Sequence, residues 1–171
     1  MLKTILHKIY AKCVMRRKLI RRAFSHFFYE LIYERPHFHG INEILEINAA
    51  IIAGFAVPLR PEHSHFFASI IVPLLKVQSY ASFFNQHLRC AMLFISKQPS
   101  FGSDLLEGLL KYWPFGNLDK ELCFLNILFE LLDATSFKDL SDGLLVKLFK
   151  RVGKCLESEH MRVVDSTMCL F

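Results

Sequence analysis

Histidine serves metal binding, acid–base chemistry and anion recognition alike, so the histidine clusters come first. His37-x-His39 follows Arg35-Pro36, and His63-Ser64-His65 follows Arg60-Pro61-Glu62. A zinc site takes four Cys, His or carboxylate donors at short spacing. No Cys or carboxylate completes a four-ligand set around these histidines. The five cysteines (Cys13, Cys90, Cys123, Cys155, Cys169) stand singly, with no C-x-x-C pair. They read as small buried apolar side chains rather than disulfide partners or zinc ligands. A Gly-rich phosphate loop, a nucleophile elbow and a His-Glu-x-x-His helix are all missing. Catalysis, metal and cofactor are therefore not expected, and what remains is recognition. Arg60 and His63 lie three apart at a helix start, where unpaired N–H groups and the helix dipole also favour an anion. From these residues alone, two solvated surface side chains are the plainer reading. His7 and Tyr10, at i and i+3, share one helix face, where a core tyrosine is the plainer reading.

Charge is placed unevenly. Residues 1 to 22 hold eight Lys or Arg and no acid, while the other 149 residues carry 13 basic and 16 acidic side chains. One end of the molecule is thus a positive patch that suits an acidic partner. Stacking aromatics are not interleaved with the cations at 12 to 22, which argues against nucleic acid. Mean hydropathy is positive, +0.29, but the longest stretch free of charged residues and histidine, Ile47 to Leu59, has 13 residues and includes Asn48, Gly54 and Pro58. A membrane span needs about 20 apolar residues, so no transmembrane helix is expected. The N-terminus has basic residues every few positions and no small-residue cleavage site. The expected compartment is the cytosol or the nucleus.

These residues must be positioned by helices, because the apolar residues recur at i, i+3, i+4 and i+7 along the chain. Leu2, Ile5, Leu6, Ile9, Tyr10, Cys13 and Val14 form one stripe. Leu19, Ile20, Ala23, Phe24, Phe27, Phe28, Leu31 and Ile32 form the next, stopped by Pro36 and Gly40. A third helix covers roughly 41 to 56, and a fourth opens at Pro61 and carries Pro73 inside its stripe, where a kink is expected. Residues 86 to 97 are apolar almost all round. Ser103 is expected to cap a helix running to Trp113 and halted by Pro114. Another helix spans 118 to 134, Ser136-x-x-Asp139 resembles a capping box for the helix bearing Leu144 to Val152, and a last one begins near 159. Grouped in pairs, the helices begin near residues 2, 41, 83, 118 and 159, a step of about 35 to 42 that matches helical-repeat arrays. The expected fold is all-α: a HEAT-like or armadillo-like helical-repeat solenoid of about four helix pairs plus a terminal helix, forming one domain over 1–171.

Several strings carry a closer likeness: Leu6-His7-Lys8-Ile9-Tyr10, Glu43-Ile44-Leu45-Glu46-Ile47, Gly54-Phe55-Ala56-Val57-Pro58-Leu59 and Val72-Pro73-Leu74-Leu75-Lys76-Val77. Further on come Leu109-Leu110-Lys111-Tyr112-Trp113-Pro114, Phe124-Leu125-Asn126 and Lys154-Cys155. With these the chain resembles the B-prime family of protein phosphatase 2A regulatory subunits over nearly its whole length. The resemblance implies a non-catalytic regulator in signal transduction, held by the phosphatase scaffold and catalytic subunits, that recruits substrates. It also implies that the chain covers a middle portion of the repeat array, without the first and last repeats. The alternative is a truncated, substrate-capturing competitor or a remnant that does not assemble with the phosphatase.

Substrates of that family present a short motif, Leu-x-x-Ile-x-Glu, to a groove between adjacent repeats. The resemblance places His7, Lys8, Tyr10 and Arg17 on one side of it and Ile47, Ile51, Arg60 and His63 on the other. The family usually has Arg at Lys8 and Lys at Arg60, swaps that keep the charge, although Lys8 cannot make the planar two-point contact of Arg. Helix geometry bears on one pair independently. The core stripe of the third helix runs through Ile41, Ile44, Leu45, Ile52 and Phe55, and at about 100° per residue Ile47 lies roughly 100° from its centre. Ile47 and Ile51 broaden the apolar face to one side, where they either line a groove or pack against the preceding repeat.

Overall fold

The computed structural model describes residues 2–34, 39–135 and 140–170. Among these the regular structure is helical throughout: α1 Leu2–Lys12, a 3-10 turn Val14–Arg16, α2 Arg17–Tyr33, α3 Ile41–Ala53, and α4 Pro61–Phe66, which passes through a π-helical stretch Phe67–Ile71 into α5 Val72–Leu74. A second 3-10 turn, Tyr80–Ser82, leads to α6 Phe84–Lys97, followed by α7 Phe101–Lys111, α8 Leu118–Ala134, α9 Asp142–Leu156 and α10 Met161–Met168. The all-α helical-repeat class read from the periodicity is borne out. The chain divides into two compact units, Met1–Leu93 and Phe94–Phe171.

In the first unit, α1 packs on α3, and α2 on α5 and the π-helical stretch before it. Cys90 Sγ of α6 donates to the Leu45 carbonyl of α3 at 3.3 Å. With α4 through α5 counted as one continuous helix, α1, α2 and α3 each lie against the helix two places along, the neighbour relation that stacks helix pairs in a repeat array. Phe24, Phe28 and Leu31 of α2 meet Phe67, Ile70, Ile71 and Leu74 in a buried core. Gly40 opens α3 at φ 91°, a left-handed conformation that suits glycine, and its carbonyl accepts from the Ile44 N–H at 3.1 Å. The second unit repeats the pattern: α7 packs on α8 and α9, and α10 on both α8 and α9. Buried Trp113 meets Phe124 edge-on and donates its ring N–H to Glu121 Oε1 at 3.0 Å.

Local departures from the sequence reading have local causes. The helix that carries Pro73 is widened just before it. Proline lacks the N–H that would close the turn, and the Val72 N–H instead reaches back to the Phe67 carbonyl in a π-helical step. Ser103 does not cap α7; its hydroxyl donates to the Ser100 carbonyl at 2.7 Å from within the first turn. The helix already begins at Phe101, whose ring is buried edge-on against Phe94. The expected capping box, Ser136 and Asp139, lies outside the described residues, and α9 follows Ser141. Helix α3 ends at Ala53, three residues before the expected 56. The stripe of α1 is only partly covered: Ile5 and Ile9 remain 46% and 43% exposed, and Cys13 and Val14 lie beyond the helix on the surface.

Candidate functional site

Helix α3 sets the geometry, because Ile47 and Ile51 sit one turn apart and both are buried. Ile47 is at the floor of a concavity of about 320 Å³ shared with Thr4 and His7 of α1 and with Ala50 and Arg89. Ile51 lines a separate cleft of about 490 Å³ together with Arg21 of α2, Phe55, and Glu62, His63 and Phe66 of α4. The eight expected residues therefore fall into smaller groups. His7 and Ile47 share one hollow, Ile51 and His63 share the other, and Lys8 and Arg60 are exposed. Tyr10 and Arg17 meet each other: the Arg17 guanidinium lies 5.3 Å over the Tyr10 ring. Its Nε donates to the Tyr10 carbonyl at 3.0 Å, and its Nη2 to the Ala11 carbonyl at 3.1 Å. Arg17 thus caps the end of α1, satisfying carbonyls that the helix leaves unpaired.

His63 is not the solvated surface residue that its polar neighbours suggest. It is 8% exposed, and its ring stacks on Phe55 with centroids 3.7 Å apart and planes 5° from parallel. Burial lowers its pKa from the ordinary histidine value; the Glu62 carboxylate pulls it up, and the Arg21 and Arg60 charges push it down. The imidazole is therefore neutral near pH 7, able to donate one hydrogen bond and accept another but carrying no charge of its own. Its Nδ1 is buried with no hydrogen-bond partner among the described residues. Its Nε2 stands 3.6 Å from Glu62 Oε1, too long for a hydrogen bond.

Sequence reasoning missed the pair that links these groups. Arg21 Nη1 donates to the Tyr10 hydroxyl at 3.3 Å, and its Nη2 pairs with Glu62 Oε1 at 3.1 Å. Arg21 follows Arg17 by one helical turn, which is the only sequence signal for it. The cleft has room for an apolar side chain against Ile51 and Phe66, and for an anion near the Arg21 charge. Among the described residues no group of three or more His, Cys, Asp or Glu could hold a metal ion, and His37 of the first histidine cluster lies outside them. Of the cysteines, Cys90 and Cys155 are buried, with thiols pushed up by burial to about 12 and about 11, whereas Cys13 and Cys169 are exposed. No helix among the described residues is long and apolar enough to cross a membrane.

The family model for the protein phosphatase 2A regulatory B subunit (B56 family) matches residues 1–171. The chain is 38% identical over 170 residues to the B′ kappa isoform of the 57 kDa regulatory subunit of serine/threonine protein phosphatase 2A from Arabidopsis thaliana, covering 99% of the chain and 34% of that protein. It is 41% identical over 167 residues to the delta isoform of the 56 kDa regulatory subunit from Homo sapiens, covering 98% of the chain and 28% of that protein. Against the delta 2 isoform from Schizosaccharomyces pombe it is 40% identical over 174 residues, 100% of the chain and 27% of the relative. The chain thus spans about a third of the length of the relatives it matches. On a match that runs from its first residue to its last, this chain belongs to the B56 family of protein phosphatase 2A regulatory B subunits.

Proposed function

We propose that the chain acts as a non-catalytic regulatory module of protein phosphatase 2A, binding its scaffold and catalytic subunits and recruiting substrates that carry a Leu-x-x-Ile-x-Glu segment. The segment would lie across α1, α3 and the start of α4, with its two apolar side chains over Ile47 and Ile51 and its glutamate beside His63. The observation that carries this reading is the buried, unpartnered Nδ1 of His63 in a cleft floored by Ile51. A buried polar atom without a partner is costly, and a shift of the cleft walls on binding that lets a ligand carboxylate accept from that N–H would remove the cost. Lys8 and Arg60, both exposed, supply positive charge for the acidic flanks of such a segment.

Isothermal titration with the Glu peptide and its Ala counterpart tests the site. The Glu peptide is expected to bind in the micromolar range. Replacing its glutamate should cost about 2 kcal/mol, as for a lost hydrogen bond to a charged group. Equal affinities for the two peptides would refute the assignment. Co-precipitation with the scaffold and catalytic subunits tests the regulatory role separately, since a chain that captures the peptide but recovers no phosphatase is a competitor and not a regulator.

A further inference from the structure

The second unit holds a concentration of positive charge that the proposed groove does not use. A cleft of about 370 Å³ runs between α7 and α9, with Lys111 on one wall and Lys147, Lys150, Arg151 and Lys154 on the other. The four α9 residues stand at i, i+3, i+4 and i+7 and so share one face. That face is turned by about 100° from the buried row Leu144, Leu148, Val152 and Cys155, which aims it along the seam with α7. The acid in the cleft is Glu107, and none of the five cations forms an ion pair among the described residues. Like charges at these spacings destabilise a helix, and Glu107 offsets only one of the five cations that line the cleft.

The cleft is more than a solvated charge row. Leu110 and buried Leu144 line it with apolar surface. Arg151 is held in place by stacking, its guanidinium 5.5 Å over the Trp113 ring and 4.9 Å over that of Phe115. A planar fork fixed in this way is suited to two-point contact with a carboxylate. From Lys147 to Lys154 the helix rises about 10 Å, the reach of three or four extended residues. Aromatic side chains are not among those that line the cleft itself, and the exposed Phe115 beside it is a single ring held against Arg151, not the row of stacking platforms that a nucleic-acid strand uses.

We infer that the cleft between α7 and α9 is a docking site for an acidic segment of a protein partner, distinct from the groove at Ile47 and Ile51. Its carboxylates would sit on Lys147, Lys150, Arg151 and Lys154, with aliphatic portions against Leu110 and Leu144. Fluorescence anisotropy with a short labelled Asp/Glu-rich peptide lacking Leu and Ile reads this site without filling the apolar hollows at Ile47 and Ile51. The double variant Lys150→Glu/Lys154→Glu should weaken binding about tenfold, as for lost charge-assisted contacts. The double variant Lys12→Glu/Arg162→Glu, equally charge-reversed at exposed positions outside the cleft, should bind like the parent. Circular dichroism melts of the Lys12/Arg162 variant should overlay the parent and those of the Lys150/Lys154 variant should lie at or above it, since like charges leave the α9 row, and a photo-cross-linker carried on the peptide should label α7 or α9. Equal weakening by both pairs would reduce the effect to bulk charge and overturn the assignment. Labelling elsewhere would overturn it too, as would tighter binding of a single-stranded RNA of equal net charge.

Discussion

His87 shows how much one polar side chain can hold. It is fully buried on α6, its Nε2 lies 2.8 Å from the Ile71 carbonyl and its Nδ1 2.7 Å from the Tyr80 hydroxyl. A carbonyl can only accept, so Nε2 carries the hydrogen and Nδ1 accepts from the tyrosine. The Ile71 carbonyl is available because the Leu75 N–H bonds to Val72 where the helix ends. Burial lowers the His87 pKa from 6.5 to about 4. The unfolded chain therefore takes up a proton near 6.5 that the folded chain refuses until about 4, and stability falls as the pH drops through that window. The loss amounts to at most about 3 kcal/mol. His87→Leu should cost about 2–4 kcal/mol at neutral pH by stranding both partners, and should flatten the fall between about pH 6.5 and 4. Urea melts of both chains across that window check this, and parallel slopes would disprove the role of His87. Neither this clip nor the burial of His63 is legible in the sequence. Pro61-Glu62-His63-Ser64-His65 reads as polar surface, and the ring that covers His63 comes from Phe55, beyond the end of α3. The Arg21–Glu62 pair joins residues 41 apart, a distance over which periodicity carries no information. It yields its own prediction. Glu62→Gln removes a carboxylate that occupies Arg21, and should tighten binding of the Glu-ended peptide about fivefold, by roughly 1 kcal/mol. Titration of the variant decides it, and weaker binding would mean that Glu62 supports the site.

At the scale of elements, stripe and punctuation located the helices well. Pro61 opens α4 and the reading of 118 to 134 coincides with α8, because a 3.6-residue apolar repeat sustained over three turns or more is the mark of an amphipathic helix. The errors cluster where tertiary contact decides, as at Phe101, which is drawn into α7 by its burial beside Phe94. Two glycines separate intrinsic helix preference from such packing. A Cβ on Gly102 of α7 would stand 2.8 Å from Thr135 Oγ1 and 3.2 Å from its Cγ2. Gly153, inside α9, has nothing within 4 Å of the same point. Alanine raises helix propensity by about 1 kcal/mol at either position. At Gly153 that gain should appear in full as a higher melting temperature. At Gly102 the crowding against a buried, β-branched neighbour should reverse it, for a net cost of about 1–2 kcal/mol. Denaturant unfolding of the two variants gives the comparison, and equal stabilisation would show that α7 and α8 have room between them.

For the whole molecule, the repeat step could be read from the spacing of helix starts, because each pair is one unit of the array. The division into two compact units could not. It falls at Leu93/Phe94, inside α6, where no proline, glycine or polar linker marks it. The charge asymmetry could be read directly, but not what individual charges do. Of the cations in residues 1 to 22, Arg17 and Arg21 are engaged with α1 and Glu62, whereas Lys8 is exposed beside His7. Exposed charges act through the field they cast over about 8–10 Å at moderate salt, and salt erodes that field. Engaged charges act through the groups they hold. Lys8→Ala should therefore flatten the salt dependence of Leu-x-x-Ile-x-Glu peptide binding and leave the melting curve in place. Arg17→Ala should lower stability by about 1–2 kcal/mol, since the Tyr10 and Ala11 carbonyls lose their cap. The peptide would then weaken in proportion to the loosening of α1 and not to the charge removed. Measuring Kd at several salt concentrations alongside the melts separates the two. If Lys8→Ala leaves the slope unchanged, the positive end of the molecule does not reach the ligand, and the acidic flank of the peptide must be held elsewhere.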